Sequence, residues 1–138
     1  MTVAHVQIFI SAVSAEFEAY RESLRRDLDR PAVSVKIQED FIATGSETLD
    51  KLDDYIRSCH VVLHMVGNMS GAFAQEPSIE LLRERYPEMP SRFPQLAQAL
   101  SSSNATRLSY TQWEAWLALY HRKPLIIARA SDEAERGP

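Results

Sequence analysis

The sequence is short of cysteine, glycine and basic charge. Its single cysteine, Cys59, lies at the head of an apolar run, residues 59–66, and has no second cysteine with which to close an internal disulfide. A reduced, buried thiol in a cytoplasmic setting is the expectation. Glycine occurs only four times, and the loops expected at strand ends carry neither G-x-G-x-x-G nor G-x-x-x-x-G-K-[ST]. The usual dinucleotide and P-loop phosphate cradles are therefore excluded. With 15 Lys+Arg against 19 Asp+Glu the net charge is -4, which offers no broad attraction to nucleic acid phosphates or to an anionic membrane surface. Neither partner is expected. No window approaches the roughly 18 apolar residues of a membrane span. The apolar start at Val6 is broken by Ser11 and Glu16 with no basic leader or small-residue cleavage site, so no signal peptide is read.

What remains is the composition of an ordinary globular domain. The 138 residues suit one core, and 45% hydrophobic against 25% charged residues argues against both disorder and fibrous repeats. Residues 6–10, Val-Gln-Ile-Phe-Ile, read as a buried strand that gives way to small residues at Ser11. Phe17, Tyr20, Leu24 and Leu28 then recur at helical spacing, with Glu18, Arg21, Glu22, Arg25 and Arg26 on the other face, until Pro31. Val33, Val35 and Ile37 alternate as a strand leading to Glu39 and Asp40. Thr44 and Glu47 have capping-box spacing ahead of a helix whose inner face is Leu49, Leu52 and Ile56. Residues 60–66 read as a fully buried strand ending at Gly67. From 67 to 108 the prolines at 77, 87, 90 and 94 predict an irregular crossover with helices near 77–86 and 93–100. Ser109 and Gln112 form another capping-box spacing, opening a helix to about His121, and Pro124 leads a strand over 125–128. The alternation predicts an α/β, flavodoxin-like three-layer sandwich: a parallel sheet with helices on both faces. Four strands are visible where five complete such a sheet. The domain spans 1–130, with a polar tail at 131–138.

In an open α/β sheet, ligands bind beyond the carboxyl ends of the strands. The segment that stands out there is Ser109-Tyr110-Thr111-Gln112-Trp113-Glu114-Ala115-Trp116. Helical spacing turns Trp113, Trp116, Leu117 and Tyr120 toward the core and leaves Glu114 at the border of a stripe with Tyr110 and His121. Glu114 is either a solvated glutamate favoured by the helix N-terminus, or a carboxylate stripped of water among aromatic rings. His60 and His64 stand four apart on a strand and read as core or sheet-edge histidines rather than a metal pair. Glu39 and Asp40 are a turn pair or reach a ribose hydroxyl. Ser11, Ser14 and His5 lack the G-x-S-x-G frame of a nucleophile elbow.

Together, V-Q-I-F-I-S, the segment D-F-I-A-T-G-S-E-T-L-D-K-L-D-D-Y-I-R-S-C-H-V-V-L-H-M-V-G and S-Y-T-Q-W-E-A-W-L-A-L-Y-H-R-K-P-L-I-I resemble a TIR-like domain. The likeness is to the divergent kind at the N-terminus of bacterial multidomain defence and signalling proteins. It covers residues 6–128 except about 70–105. It implies a nucleotide site in which Ile10 and Ser11 end the first strand, and the loop over residues 40–46, with Asp40 and Phe41, covers the nucleotide and mediates self-association. Glu114 falls at the catalytic glutamate, nine residues before Lys123, with Tyr110 and Trp113 as aromatic neighbours. The loop at 40–45 is shorter than usual in the family, and the cysteine common before the glutamate is replaced.

The resemblance further implies hydrolysis of NAD+ at its nicotinamide N-glycosidic bond. NAD+ is then the substrate, with no separate cofactor and no metal, and activation comes through self-association. A C-terminal effector or sensor domain beyond this chain is implied as partner. Two other readings stand beside it. One is a TIR-like interaction module without catalysis. The other is a nucleoside deoxyribosyltransferase-like enzyme, since T-x-W-E-x-x-x-A-x-x-x-x-K-P-L-I also resembles the nucleophile helix of that fold neighbour, where the glutamate attacks the sugar.

Overall fold

A computed structural model describes residues 5–37, 48–67, 73–74, 76–101 and 108–133. Short β-branched runs bounded by small residues or proline form four strands: β1 (Val6–Ser11), β2 (Val33–Ile37), β3 (Val61–Val66) and β4 (Leu125–Arg129). They make one all-parallel sheet in the order β2-β1-β3-β4. Helices α1 (Ser14–Leu28), α2 (Thr48–Ser58), α3 (Glu76–Arg85), α4 (Met89–Arg92), α5 (Pro94–Ser101) and α6 (Tyr110–Tyr120) surround it. This is the expected α/β, flavodoxin-like arrangement.

Because side chains alternate along a strand, neighbours in β1 serve opposite layers. Phe9, with Val62 of β3, belongs to the larger core under α2 and α6, which Leu49, Leu52, Ile56, Trp113 and Leu117 fill. Ile10 faces the other way, into a smaller core with Val35 and Ile37 that Leu24 and Leu28 of α1 cover. Burying each of these large apolar side chains is worth roughly 1.5–3 kcal/mol, so the amphipathic pattern of α2 fixes which face it turns to the sheet. The chain between β3 and β4 carries four helices among the described residues, α3 to α6, and α3 packs on α2.

Two expectations change. Strand β3 is not fully buried: Val62 is, and its other residues are partly exposed, because α1 lies over β1 and β2 and the described residues place no helix beyond β3 on that face. In α1, Tyr20 is exposed while Arg21 is buried. Phe17 leaves helical geometry at φ -123°, ψ 17°, and this kink rotates the register read from a continuous 3.6-residue period. Strand β4 ends the sheet among the described residues, with Ile126 and Ile127 56% and 62% exposed.

From β1 the chain crosses to β2 on one side, then returns past β1 to β3 on the other. The gap between the carboxyl ends of β1 and β3 is thus the switch point at which open α/β sheets take ligands.

Candidate functional site

Ser11 is the last residue of β1, and His64 stands opposite it in the parallel register of β3. Both share the face of Phe9 and Val62, the face α6 covers. Helix α6 starts on a complete capping box: the Gln112 backbone N–H donates to Ser109 Oγ at 3.2 Å, and the Ser109 N–H donates to Gln112 Oε1 at 2.8 Å. With that end fixed, Trp113, Leu117 and Ala118 enter the larger core, and Glu114 is carried to the rim of the sheet at 1% exposure.

There Ser11 Oγ donates to Glu114 Oε1 at 2.6 Å and lies 2.8 Å from His64 Nδ1. The second carboxyl oxygen, Oε2, is buried and has no hydrogen-bond partner among the described residues. Burial drives the Glu114 carboxyl up to about 8, against the pull of the Ser11 hydrogen bond and the Arg21 charge, which both favour the anion. Burial also lowers the basicity of His64. At neutral pH the closed site therefore holds a protonated acid beside a neutral imidazole. Two buried charged residues of α1 complete the surroundings: Arg21, and Glu16, whose carboxylate lies against Gly67 so closely that a Cβ there would collide with it.

The order of these groups matters chemically. In a serine nucleophile triad the histidine stands between serine and acid. Here serine stands between acid and histidine, so the arrangement does not activate Ser11 as a nucleophile; it holds a carboxyl group with one oxygen hydrogen-bonded and the other buried without a partner among the described residues.

Among the sequence candidates, Glu114 and Ser11 are brought together. Tyr110 is half-buried at the start of α6 against the larger core. Trp113 is buried in that core, beside Leu82, Met89 and Leu96, rather than at the Ser11 end. Ile10 faces the opposite layer. Asp40 and Phe41 lie outside the described residues. His60 accepts the Gln7 backbone N–H at Nδ1, 2.9 Å, from an exposed position, while His64 Nδ1 meets Ser11, so the two histidines do not act as one pair. Among the described residues no group of three or more His, Cys, Asp or Glu could hold a metal ion, and no helix is long and apolar enough to cross a membrane.

Sequence reasoning missed His64 as a partner of Ser11, although the signal was present: Phe9–Ser11 and Val62–His64 each step by two along adjacent strands that end together. It also missed Asp53, fully buried between α2, α3 and α6. Asp53 accepts from Arg85 and Tyr86 at 2.6 Å each and contacts His121 Nε2 at 2.6 Å. Burial alone would raise its pKa, but the bonds from His121, Tyr86 and Arg85 outweigh it and hold the carboxyl below its ordinary range. Burial, and after it the same carboxylate, pushes Tyr86 up to about 12. This network ties α2 and α3 to the C-terminal end of α6, about two turns beyond Glu114.

Residues 7–137 match the family described as "Domain of unknown function (DUF4062)", and the chain belongs to that family. No curated protein and no solved structure matches it.

Proposed function

We propose that this DUF4062 chain is a TIR-like NAD+ hydrolase acting at the nicotinamide N-glycosidic bond, with Glu114 as its catalytic carboxylate. The observation that carries the reading is the buried Glu114 carboxyl, hydrogen-bonded to Ser11 at the switch point between β1 and β3, with Oε2 unpartnered. Nicotinamide is bound to the ribose as a pyridinium, so it departs as a neutral molecule and needs little help from a general acid. What lowers the barrier is negative charge beside the ribosyl cation that develops as the C–N bond breaks. Water then adds to the anomeric carbon, giving ADP-ribose and releasing one proton. A carboxylate in a site stripped of water interacts with that cation far more strongly than one in bulk solvent. Ser11 orients it, and Tyr110 and the residues at 40–41 are the candidates for contacting the nucleotide.

Activation by self-association in a reducing cytoplasmic compartment, with a further effector or sensor domain as partner, belongs to the same reading. The test is NAD+ consumption by the chain clustered on a multivalent scaffold, beside Glu114→Gln. Loss of nicotinamide release in the variant, with circular dichroism unchanged, supports the assignment; equal turnover by both proteins overturns it.

A second reading is favoured by a separate observation. The exposed Ile126 and Ile127 on edge strand β4 suit a module that only docks, since unpaired apolar edges invite pairing with another chain. Concentration-dependent association with no NAD+ loss by clustered protein would select it.

A further inference from the structure

A buried acid that is protonated at rest must become an anion to stabilise a cation, and at 1% exposure it has almost no surface from which to lose that proton to bulk water. Ser11 touches both Glu114 Oε1 and His64 Nδ1, at 2.6 and 2.8 Å, and a hydroxyl has one proton to give. It can donate to the carboxylate while accepting from the imidazole N–H, or accept from the carboxylic acid while donating to the imidazole nitrogen. We propose that Glu114, Ser11 and His64 form an internal proton relay in which His64 stores the proton of Glu114 while a cation occupies the site.

The step is balanced within the three residues. The Glu114 Oε1–H bond breaks and its proton binds Ser11 Oγ, while the original Oγ–H proton passes to His64 Nδ1. The outcome is a carboxylate, an unchanged serine and an imidazolium, with no proton taken from or given to solvent. When water has quenched the ribosyl cation, the same path returns the proton to Glu114. His64 is a positioning residue in this scheme, acting on Glu114 through Ser11.

The surrounding charges fit such a relay. His64 on β3 and Ser11 on β1 are its members, and Arg21 of α1 places positive charge where it acts on Glu114. Glu16 of α1 lies against Gly67 at the end of β3. On α2, packed against α6, Asp53 is engaged by Arg85, Tyr86 and His121.

The inference rests on the NAD+ reading for its kinetic test but not for its spectroscopic one. In the kinetic arm, clustered wild type and His64→Gln are compared between pH 6.5 and 8.5. Glutamine preserves a hydrogen bond to Ser11 but cannot store a proton, so the variant must lose the Glu114 proton to solvent. Its turnover relative to wild type is expected to fall about tenfold per pH unit below about 8 and to approach parity above it. A loss that is constant with pH marks a structural role and overturns the relay, as does no loss at all. In the spectroscopic arm, nitrogen-15 NMR of the unliganded wild type follows the His64 ring. The relay predicts Nε2–H while Glu114 is protonated and a switch toward Nδ1–H as Glu114 ionises near pH 8, abolished in Ser11→Ala and Glu114→Gln. A tautomer indifferent to pH, or a switch retained in both variants, overturns the proposal even where no NAD+ is consumed. If the switch is seen without NAD+ loss, the relay stands and the substrate reading fails.

Discussion

At the scale of single residues, the Glu114 carboxyl costs the fold stability where the site gains function. Its folded-state value near 8 lies above the ordinary 4.5, so between those pH values the folded chain holds a proton that the unfolded chain has released. Stability therefore falls as pH rises through that window, by about 1.4 kcal/mol per unit. Glu114→Gln removes the slope. Urea unfolding should show the variant gaining on wild type from pH 5 to pH 8.5 by a few kcal/mol in total, on the order set by that linkage; a difference constant with pH would mean an ordinary, solvated glutamate. Gly67 offers an independent probe of the same rim. The Cβ of Gly67→Ala displaces the Glu16 carboxylate, at an expected cost of about 1–3 kcal/mol, and in a double-mutant cycle that cost should largely vanish when it is measured in the Glu16→Ala background. The glutamate itself was conspicuous in the sequence because two tryptophans flank its helix. Its burial was not, since spacing alone put it at the edge of the apolar stripe and the neutralising setting comes from Ser11, 103 residues away in the chain.

Among elements, α6 carries the site, and its placement depends on its two ends. Ser109→Ala breaks the capping box and should cost about 1 kcal/mol by thermal or urea unfolding, with a smaller effect on the far end of the helix. Near that far end, the Asp53 network clamps α6 and His121 to α2 and α3. Because its bonds lower the Asp53 carboxyl below the ordinary 3.8, it contributes stability above that value and loses it as pH falls through the lower folded value. Asp53→Asn should therefore be destabilised near pH 7, by about 3 kcal/mol or more given a buried carboxylate with several charge-assisted partners, and should lack the acid-side loss of the wild type. The Ser109 capping box, strand alternation and the α2 face were legible because each is a local pattern, while the Thr44 and Glu47 box lies outside the described residues. The α1 register was not, because one kinked residue at Phe17 resets the period. The Asp53 clamp was not either, because its partners come from the ends of two other helices, α3 and α6, that no sequence spacing relates to α2.

Over the whole molecule, the parallel sheet and its layers followed from the alternation of strands and helices, whereas the partial exposure of β3 did not. A continuous apolar run reads as buried on both faces, yet here α1 covers β1 and β2 and leaves β3 partly open. On β4 both Ile126, on the α1 side, and Ile127, on the α6 side, are exposed. Ile126→Lys and Ile127→Lys should each leave unfolding free energy within about 0.5 kcal/mol, as exposed substitutions do. If β4 is the self-association edge, the double variant should remain monomeric by sedimentation at concentrations where the wild type assembles. In the proposed function hydrolysis requires clustering, a reading that ties an edge exposed at one side of the sheet to a carboxyl buried at its switch point. The most direct measurement is nicotinamide release from NAD+ by the scaffold-clustered wild type and by Glu114→Gln at equal concentration and equal helical content. The account predicts release by the first and at least a hundredfold less by the second; undiminished release by Glu114→Gln would contradict it.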